Sequence, residues 1–319
     1  MREVIPTDIF EVIQPGPYTT IQDRGRFGYL QFGIPPCGVV DRFAYQAANL
    51  LVGNELGEAV LEVTVLGPVF SILEDGVIAI TGADLSAQLN DSPLPLWGSV
   101  PVEKGDKLSF KGPKKGCRAY VAIGGGIDVP MVMGSRSTYV AAKMGGIDGR
   151  PLVAGDRIPK GKTYGTPDKH LPQEFIPAYT NHPTIRVILG PQDDYFSEGI
   201  DILLNSEFRV TSKADRMGYR LEGPVVFQKE GVEKSIISEP SVPGGIQIPP
   251  DGQPIILLLE QTIGGYAKAA TVVSGDIGLI GQTKPGDRIQ FRAIDLKGAH
   301  RFVDEERKKI GRIRSLFSA

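Results

Sequence analysis

Apolar residues in this chain fall in short runs. VIAIT at 77–81, AYVAIG at 119–124, TIRVILG at 184–190 and PIILLLE at 254–260 are rich in β-branched residues, a length and composition that predict strands. Forty glycines and 25 prolines punctuate the 319 residues and leave little room for long helices. The expected fold is mainly β, barrels or sandwiches, with a few short helices. Asp41 caps DRFAYQAANLLVGN, where Phe43, Ala44, Ala47, Ala48 and Leu51 share one face and Gly53 ends the run. A second helix is predicted from about Asp194 to Asn205. A third runs from His300, with Phe302, Val303, Ile310, Ile313 and Phe317 as an apolar stripe among basic residues.

The stretch from Lys160 to Pro183 is polar, holds four prolines and reads as a linker. The halves on either side share three landmarks in the same order. Asp23-Arg24 with Gly28-Tyr29 is echoed by Asp215-Arg216-Met217-Gly218-Tyr219. Gly67-Pro68-Val69-Phe70 is echoed by Gly223-Pro224-Val225-Val226-Phe227, and Gly105-Asp106 by Gly286-Asp287. The intervals differ, and Gly-Asp and Gly-Pro are common turn chemistry. The shared order predicts two related β-domains, with a ligand groove between paired barrels.

Composition narrows the function. Hydrophobic residues make up 41% of the chain and charged ones 23%, as in a folded soluble protein. A net charge of −2 argues against nucleic acid as the main partner. The opening MREVIPTDIFEVIQPG carries charges and no long apolar core, so it reads as neither a signal peptide nor a membrane span. Cys37 and Cys117 are too few for a disulfide scaffold or a four-cysteine zinc site, and point to a reducing cytoplasm. Gly161-Lys162-Thr163 lacks the glycine spacing and following helix of a phosphate loop. Glycines 124–126 are followed by Ile-Asp-Val-Pro where a dinucleotide fold needs its helix. The three histidines show no metal spacing.

Four clusters concentrate chemistry. Gln22-Asp23-Arg24-Gly25-Arg26 with Tyr29 and Asp41 sets arginine forks and carboxylates among glycines; such forks suit carboxylate or phosphate ligands. An Asp23–Arg24–Arg26 network pinning a turn is the competing reading. Ser212 to Arg220, containing Arg216 and Tyr219, repeats the pattern and the ambiguity. Gln247 lies in a Gly-Pro-rich stretch, and Glu260-Gln261-Thr262 follows the apolar run Ile255 to Leu259, beside Gly264-Gly265-Tyr266. Polar groups at a strand's end next to paired glycines make a ligand shelf, or a buried and satisfied polar pair. Gly134-Ser135-Arg136-Ser137-Thr138 offers hydroxyls and an arginine for phosphate, or a loop held by internal Ser/Thr turns.

Gln22-Asp23-Arg24-Gly25-Arg26 with Gly28-Tyr29, Ala48-Asn49-Leu50-Leu51-Val52-Gly53-Asn54, Leu61-Glu62-Val63-Thr64 with Gly67-Pro68, and Thr81-Gly82-Ala83-Asp84 resemble the family called allophanate hydrolase subunit two. So do Gly134 to Thr138, Asp215 to Leu221 and Gly264-Gly265-Tyr266, a match over about residues 10 to 295. This biotin-dependent-carboxyltransferase-like family includes the 5-oxoprolinase C subunit, the regulator KipA and the carboxyltransferase domain of urea carboxylase. The resemblance implies two tandem cyclophilin-like β-barrel domains: residues 1–165 with a helical insertion, a linker at 166–183, and 184–319 ending in a helix. It implies a cytoplasmic enzyme subunit that converts 5-oxoproline to glutamate with ATP, in company with A and KipI-like B subunits. No metal and no attached biotin are expected, because no Ala-Met-Lys-Met tetrapeptide occurs.

Within that resemblance, Arg24 and Arg216 are expected to bind anions, Tyr29 and Tyr219 to wall a groove, and Glu260, Gln261 and Thr262 to contact a small-molecule substrate. Where the family usually reads Ala-Asp-x-Gln-Thr-Thr-Gly-Gly-Tyr-Pro, this chain has Leu259-Glu260-Gln261-Thr262-Ile263-Gly264-Gly265-Tyr266-Ala267, one residue shorter. A KipA-like regulator that antagonises an inhibitor of a sensor kinase, and a carboxyltransferase component acting on urea or a related amide, are the alternatives.

Overall fold

In the computed structural model, which describes residues 7–162 and 165–318, strands dominate as the short apolar runs predict. Residues 1–6 of the opening stretch, and Thr163 and Tyr164 after Gly161-Lys162, lie outside the described residues. The chain forms two units: residues 1–26, 37–178 and 309–319 in one, 27–36 and 179–308 in the other.

In the first unit, VIAIT and AYVAIG lie within the strands Gly76–Asp84 and Lys115–Ile123. Both are buried along most of their length because residues of a second sheet and the helix Arg42–Leu51 pack against them. Their antiparallel sheet runs in the order Thr19–Gln22, Val60–Thr64, Lys115–Ile123, Gly76–Asp84, Gly98–Val102. A six-stranded sheet has the order Arg157–Lys160, Thr7–Gln14, Val69–Ile72, Lys107–Phe110, Ala87–Leu89, Ser92–Pro93. Residues of both sheets share one core, with Ile9, Leu61, Ile78, Val121 and Ile158 fully buried and Phe10 stacked on Phe70 at 4.9 Å. Helix α1 (Arg42–Leu51) packs on this unit. Asp41 caps it as expected, its carboxylate accepting from the Ala44 amide at 3.0 Å, and Gly53 follows at φ +79°. Residues 168–171 run beside the edge strand, the Ser99 and Leu171 amides donating to the Lys169 and Trp97 carbonyls.

The second unit is a closed seven-stranded barrel, in the order Thr184–Leu189, Lys268–Val272, Gly245–Gln247, Ile255–Leu257, Gly218–Glu222, Glu207–Ala214, Arg288–Ala293. Its first and last strands pair in parallel and close the ring. The run at 254–260 is a strand only over Ile255–Leu257, because the chain turns at Leu259 and Glu260. A two-stranded ribbon, Glu239–Pro240 against Ile263–Gly264, stands outside the barrel sheet. The predicted second helix is split: a 3-10 turn, Asp193–Tyr195, precedes α2 (Glu198–Asn205), the break falling at Ser197 with φ +44°. Helix α3 (Ile277–Gly281) was not predicted, and α4 (Leu296–Ser318) begins a turn before His300.

The landmarks resolve into turn chemistry. Asp106 and Asp287 each close a turn by accepting the amide three residues back, Glu103 at 2.8 Å and Lys284 at 3.0 Å, with the intervening glycine at φ +97° and +95°. Gly155-Asp156 makes a third such turn, Asp156 accepting the Val153 amide at 2.8 Å. It precedes the last strand of the first unit's sheet, as Gly286-Asp287 precedes the last strand of the barrel, so it is the nearer counterpart. The Gly-Pro echoes differ: Val69–Ile72 is a strand, whereas residues 225–227 are not. A dipeptide that favours turns does not fix the conformation of the residues after it.

Candidate functional site

Asp23 is the hub of the first unit's polar cluster. Its Oδ1 accepts from the Gly25 amide at 2.8 Å and from the Ser135 and Ser137 hydroxyls, both at 2.6 Å; Oδ2 accepts from the Arg136 amide at 2.6 Å. Four donors on a 4% exposed carboxylate fix the loop 135–138 against the strand end. Gln22 joins the same packing, its Nε2 donating to Thr20 Oγ1 and the Thr138 carbonyl. The Arg136 guanidinium is spent on loop geometry, donating to the Val129 carbonyl at 2.9 Å and to Asp128 at 3.0 Å. Asp41 serves as the α1 cap, and Arg24 is exposed. Tyr29, half-buried in the second unit's segment 27–36, accepts the Phe32 amide on its carbonyl. Sequence reasoning missed two deeper groups here. Glu62 is fully buried, accepting from Tyr120 at 3.0 Å and from the Val40 amide at 3.1 Å, with Arg118 at 3.7 Å. Tyr45 is 2% exposed, and its hydroxyl has no hydrogen-bond partner among the described residues. Burial, reinforced by the charge of Asp23, holds that hydroxyl well above the ordinary tyrosine range.

In the second unit, Arg216 and Glu260 meet. Arg216 Nε donates to Glu260 Oε1 at 2.5 Å, the Glu260 amide donates to the Arg216 carbonyl at 3.1 Å, and both side chains are buried. The turn after Ile255–Leu257 brings the two together, so Arg216 already has a carboxylate of its own. Tyr219 is a core residue, 1% exposed, donating its hydroxyl to the Thr283 carbonyl. Thr262 and Gln261 hold the ribbon: the Thr262 carbonyl accepts the Ser241 amide, and Gln261 Nε2 donates to the Ile263 carbonyl at 2.8 Å. Gly265 accepts the Ile236 amide, and Tyr266 is exposed beside it.

The chemistry concentrates around Gln247 and Gly264. Gln247 is 3% exposed and pairs in register with Lys268 on the neighbouring barrel strand. Its Nε2 has no hydrogen-bond partner among the described residues. Gly264 is what lets that amide lie where it does, since a Cβ there would sit 2.1 Å from Gln247 Nε2. Lys268 is also 3% exposed, its ammonium ion-paired with Glu239 of the ribbon, while Gln192 donates to Glu239 at 3.2 Å. The hydrogen bond from Lys268 holds the Glu239 carboxyl below its ordinary range against a smaller opposing effect of burial. Ser241 adds a buried hydroxyl without a hydrogen-bond partner among the described residues. A buried ammonium, a free amide donor, a free hydroxyl and a partly exposed carboxylate thus gather where the ribbon meets the barrel. That set can hold a small ligand rich in acceptors, such as a carboxylate or an amide carbonyl. Among the described residues no group of three His, Cys, Asp or Glu side chains is placed to hold a metal ion.

Comparison with known proteins gives this constellation a family. Residues 32–293 match the model of the carboxyltransferase domain, subdomain A and B. The chain belongs to that carboxyltransferase family. It is 36% identical to the 5-oxoprolinase C subunit of Escherichia coli over 91% of this chain and 93% of that one. It is 34% identical to urea amidolyase of Lachancea kluyveri over 93% of this chain but 17% of that one. The crystal structure of the K. lactis urea amidolyase superposes with a TM-score of 0.90 and 31% identity, over 98% of this chain and a fifth of the amidolyase. Within this carboxyltransferase-family chain the structure brings Gln247 and Gly264 to one place, together with Lys268, Glu239, Gln192 and Ser241, which the sequence did not mark. Arg216 and Glu260 pair with each other, and Gln22, Asp23, Asp41 and Arg136 are engaged in loop and helix geometry.

Proposed function

We propose that this chain is the C subunit of an ATP-dependent 5-oxoprolinase, which converts 5-oxo-L-proline to L-glutamate together with A and KipI-like B subunits. The observation that carries the reading is the end-to-end match to the E. coli 5-oxoprolinase C subunit, 93% of whose length is covered. The second unit's polar cluster supports it. 5-Oxoproline presents a carboxylate and a lactam carbonyl, both acceptors, and the cluster offers the Lys268 ammonium, the Gln247 amide and the Ser241 hydroxyl as donors. A lactam resists hydrolysis because its amide is resonance-stabilised. Transfer of the γ-phosphoryl group of ATP to the amide oxygen releases ADP and makes C5 electrophilic. One water adds to C5, the C5–N bond breaks to free the amine and leave a γ-glutamyl phosphate, and a second water hydrolyses that to glutamate and phosphate. The residues of this chain would hold the lactam in place during those steps.

The test mixes this chain with the A and B subunits of the same organism and follows ATP-dependent release of glutamate, omitting each subunit in turn. Turnover that requires this chain supports the proposal; equal turnover without it sinks the proposal. A complex that assembles without any turnover transfers the case to a KipA-like regulator. The fit to the K. lactis urea amidolyase favours a second reading, a carboxyltransferase component acting on urea or a related amide. Carboxylation of urea by this chain with a separate biotinylated carrier protein would establish it.

A further inference from the structure

Arg26 is 2% exposed, yet only its Nη2 is engaged, donating to the carbonyl of Ser137. Its Nε and Nη1 have no hydrogen-bond partner among the described residues, and it forms no ion pair there. Asp23, three residues earlier, keeps its charge but makes no direct ion pair with it, its oxygens being occupied by Gly25, Ser135, Ser137 and the Arg136 amide. A guanidinium carries its charge at every accessible pH, so burial without a directly paired carboxylate is costly and cannot be relieved by losing a proton. The surroundings are nonetheless built to keep it there. Ser137 is gripped from both sides, its hydroxyl on Asp23 and its carbonyl on Arg26. Gly145, at φ +67°, brings a second loop so close that a Cβ would lie 2.1 Å from the Ser137 carbonyl oxygen and 3.0 Å from Arg26 Nη2. A rigid cradle around a cation with unused donors is the arrangement of a site whose ligand supplies a negatively charged acceptor.

We propose that Arg26 anchors an oxyanion site in the first unit, donating to an oxygen of a phosphate or carboxylate group from one of its unused donors, Nε or Nη1. Exposed Arg24, two residues before it, adds positive charge nearby. The site stands on the geometry of Arg26 and does not need the 5-oxoprolinase reading; only the source of the anion does. Phosphate released from ATP and the carboxylate of a small acid substrate share the required chemistry.

The experiment measures thermal unfolding of the full chain, and of Arg26→Met, in sodium phosphate and in sodium 5-oxoprolinate, each against sodium chloride of equal ionic strength. The expected result is a saturable rise in Tm of about 2 °C or more with at least one anion, absent from Arg26→Met. A response to phosphate alone assigns the phosphoryl source, and a response to 5-oxoprolinate alone assigns the substrate. No saturable rise in the parent protein with either anion, or an equal rise in Arg26→Met, overturns the site. If Arg26→Met does not fold, crystals of the parent chain soaked with phosphate and, separately, with 5-oxoproline decide. Density within hydrogen-bond distance of Nε or Nη1 in either soak supports the proposal, and empty density in both refutes it.

Discussion

The partly exposed carboxylate of Glu239 makes the burial of Lys268 tolerable, and their coupling is measurable. Glu239 is ionised at neutral pH with its carboxyl held low by Lys268, so the pairing contributes stability above the ordinary glutamate pKa and loses it as pH falls through the depressed one. Lys268→Met should raise the Glu239 midpoint in a carbon-detected NMR titration; an unmoved midpoint would mean Lys268 is not its cause. On the proposed 5-oxoprolinase function, the same substitution should lower kcat/KM for glutamate release by the three-subunit mixture roughly 100-fold. Gln247 should separate function from stability. Among the described residues its Nε2 is a buried donor without an acceptor, so Gln247→Leu should leave urea unfolding unchanged or stabilise the chain by about 1 kcal/mol while, on the proposed function, KM for 5-oxoproline rises. A loss of stability with KM unaltered would make Gln247 a framework residue. None of this pairing was legible in the sequence. Gln247 stood out only for its glycine-rich setting, and Lys268 reads as one more residue in Ala-Lys-Ala-Ala, because what joins them is register between strands some twenty residues apart.

At the scale of elements, small polar anchors decide where strands and helices end. Asp276 is fully buried and accepts from Arg186 Nε at 2.9 Å, from Nη2 at 2.6 Å and from the Arg186 amide at 2.7 Å. The same guanidinium lies 3.3 Å from the centre of the Phe302 ring, so one side chain ties the first barrel strand to α4. Asp276→Ala should cost about 3 kcal/mol in urea unfolding, since it strands a largely covered cation. The Gly-Asp turn at 153–156 gives a pH-dependent test. Burial tends to raise the Asp156 carboxyl, but hydrogen bonds from Arg150 and the Val153 amide, and the Arg150 charge, outweigh it and the value falls below 3.8. Its contribution is therefore present above that pH and lost as acid takes it through the lower folded value. The stability gap between the parent chain and Asp156→Asn, measured by urea unfolding, should be constant from pH 7 to pH 5 and close below about pH 3.8. The elements that were legible are those with local signals: α1 by its Asp41 cap, and the strands by their β-branched runs. The break at Ser197 and the short α3 carry no such signal.

Across the whole molecule, the mainly β expectation is met because short apolar runs satisfy their backbone by pairing and bury their side chains by packing sheet against sheet and sheet against helix. The ordered landmarks were a weaker guide, since Gly-Asp proved to be a turn used three times and Gly-Pro led to different structures. The closure of the barrel has a further consequence, for how the chain is made. Arg288–Ala293 lies between Thr184–Leu189 and Glu207–Ala214 and pairs with both, so until it emerges from the ribosome two strands have bare edges. The second unit therefore cannot finish folding during synthesis until Arg288–Ala293 is translated, and a chain stalled before 288 presents two sticky flanks to its neighbours on the polysome. Messages truncated there should yield insoluble product, whereas the first unit's two sheets have all their strands by Lys160.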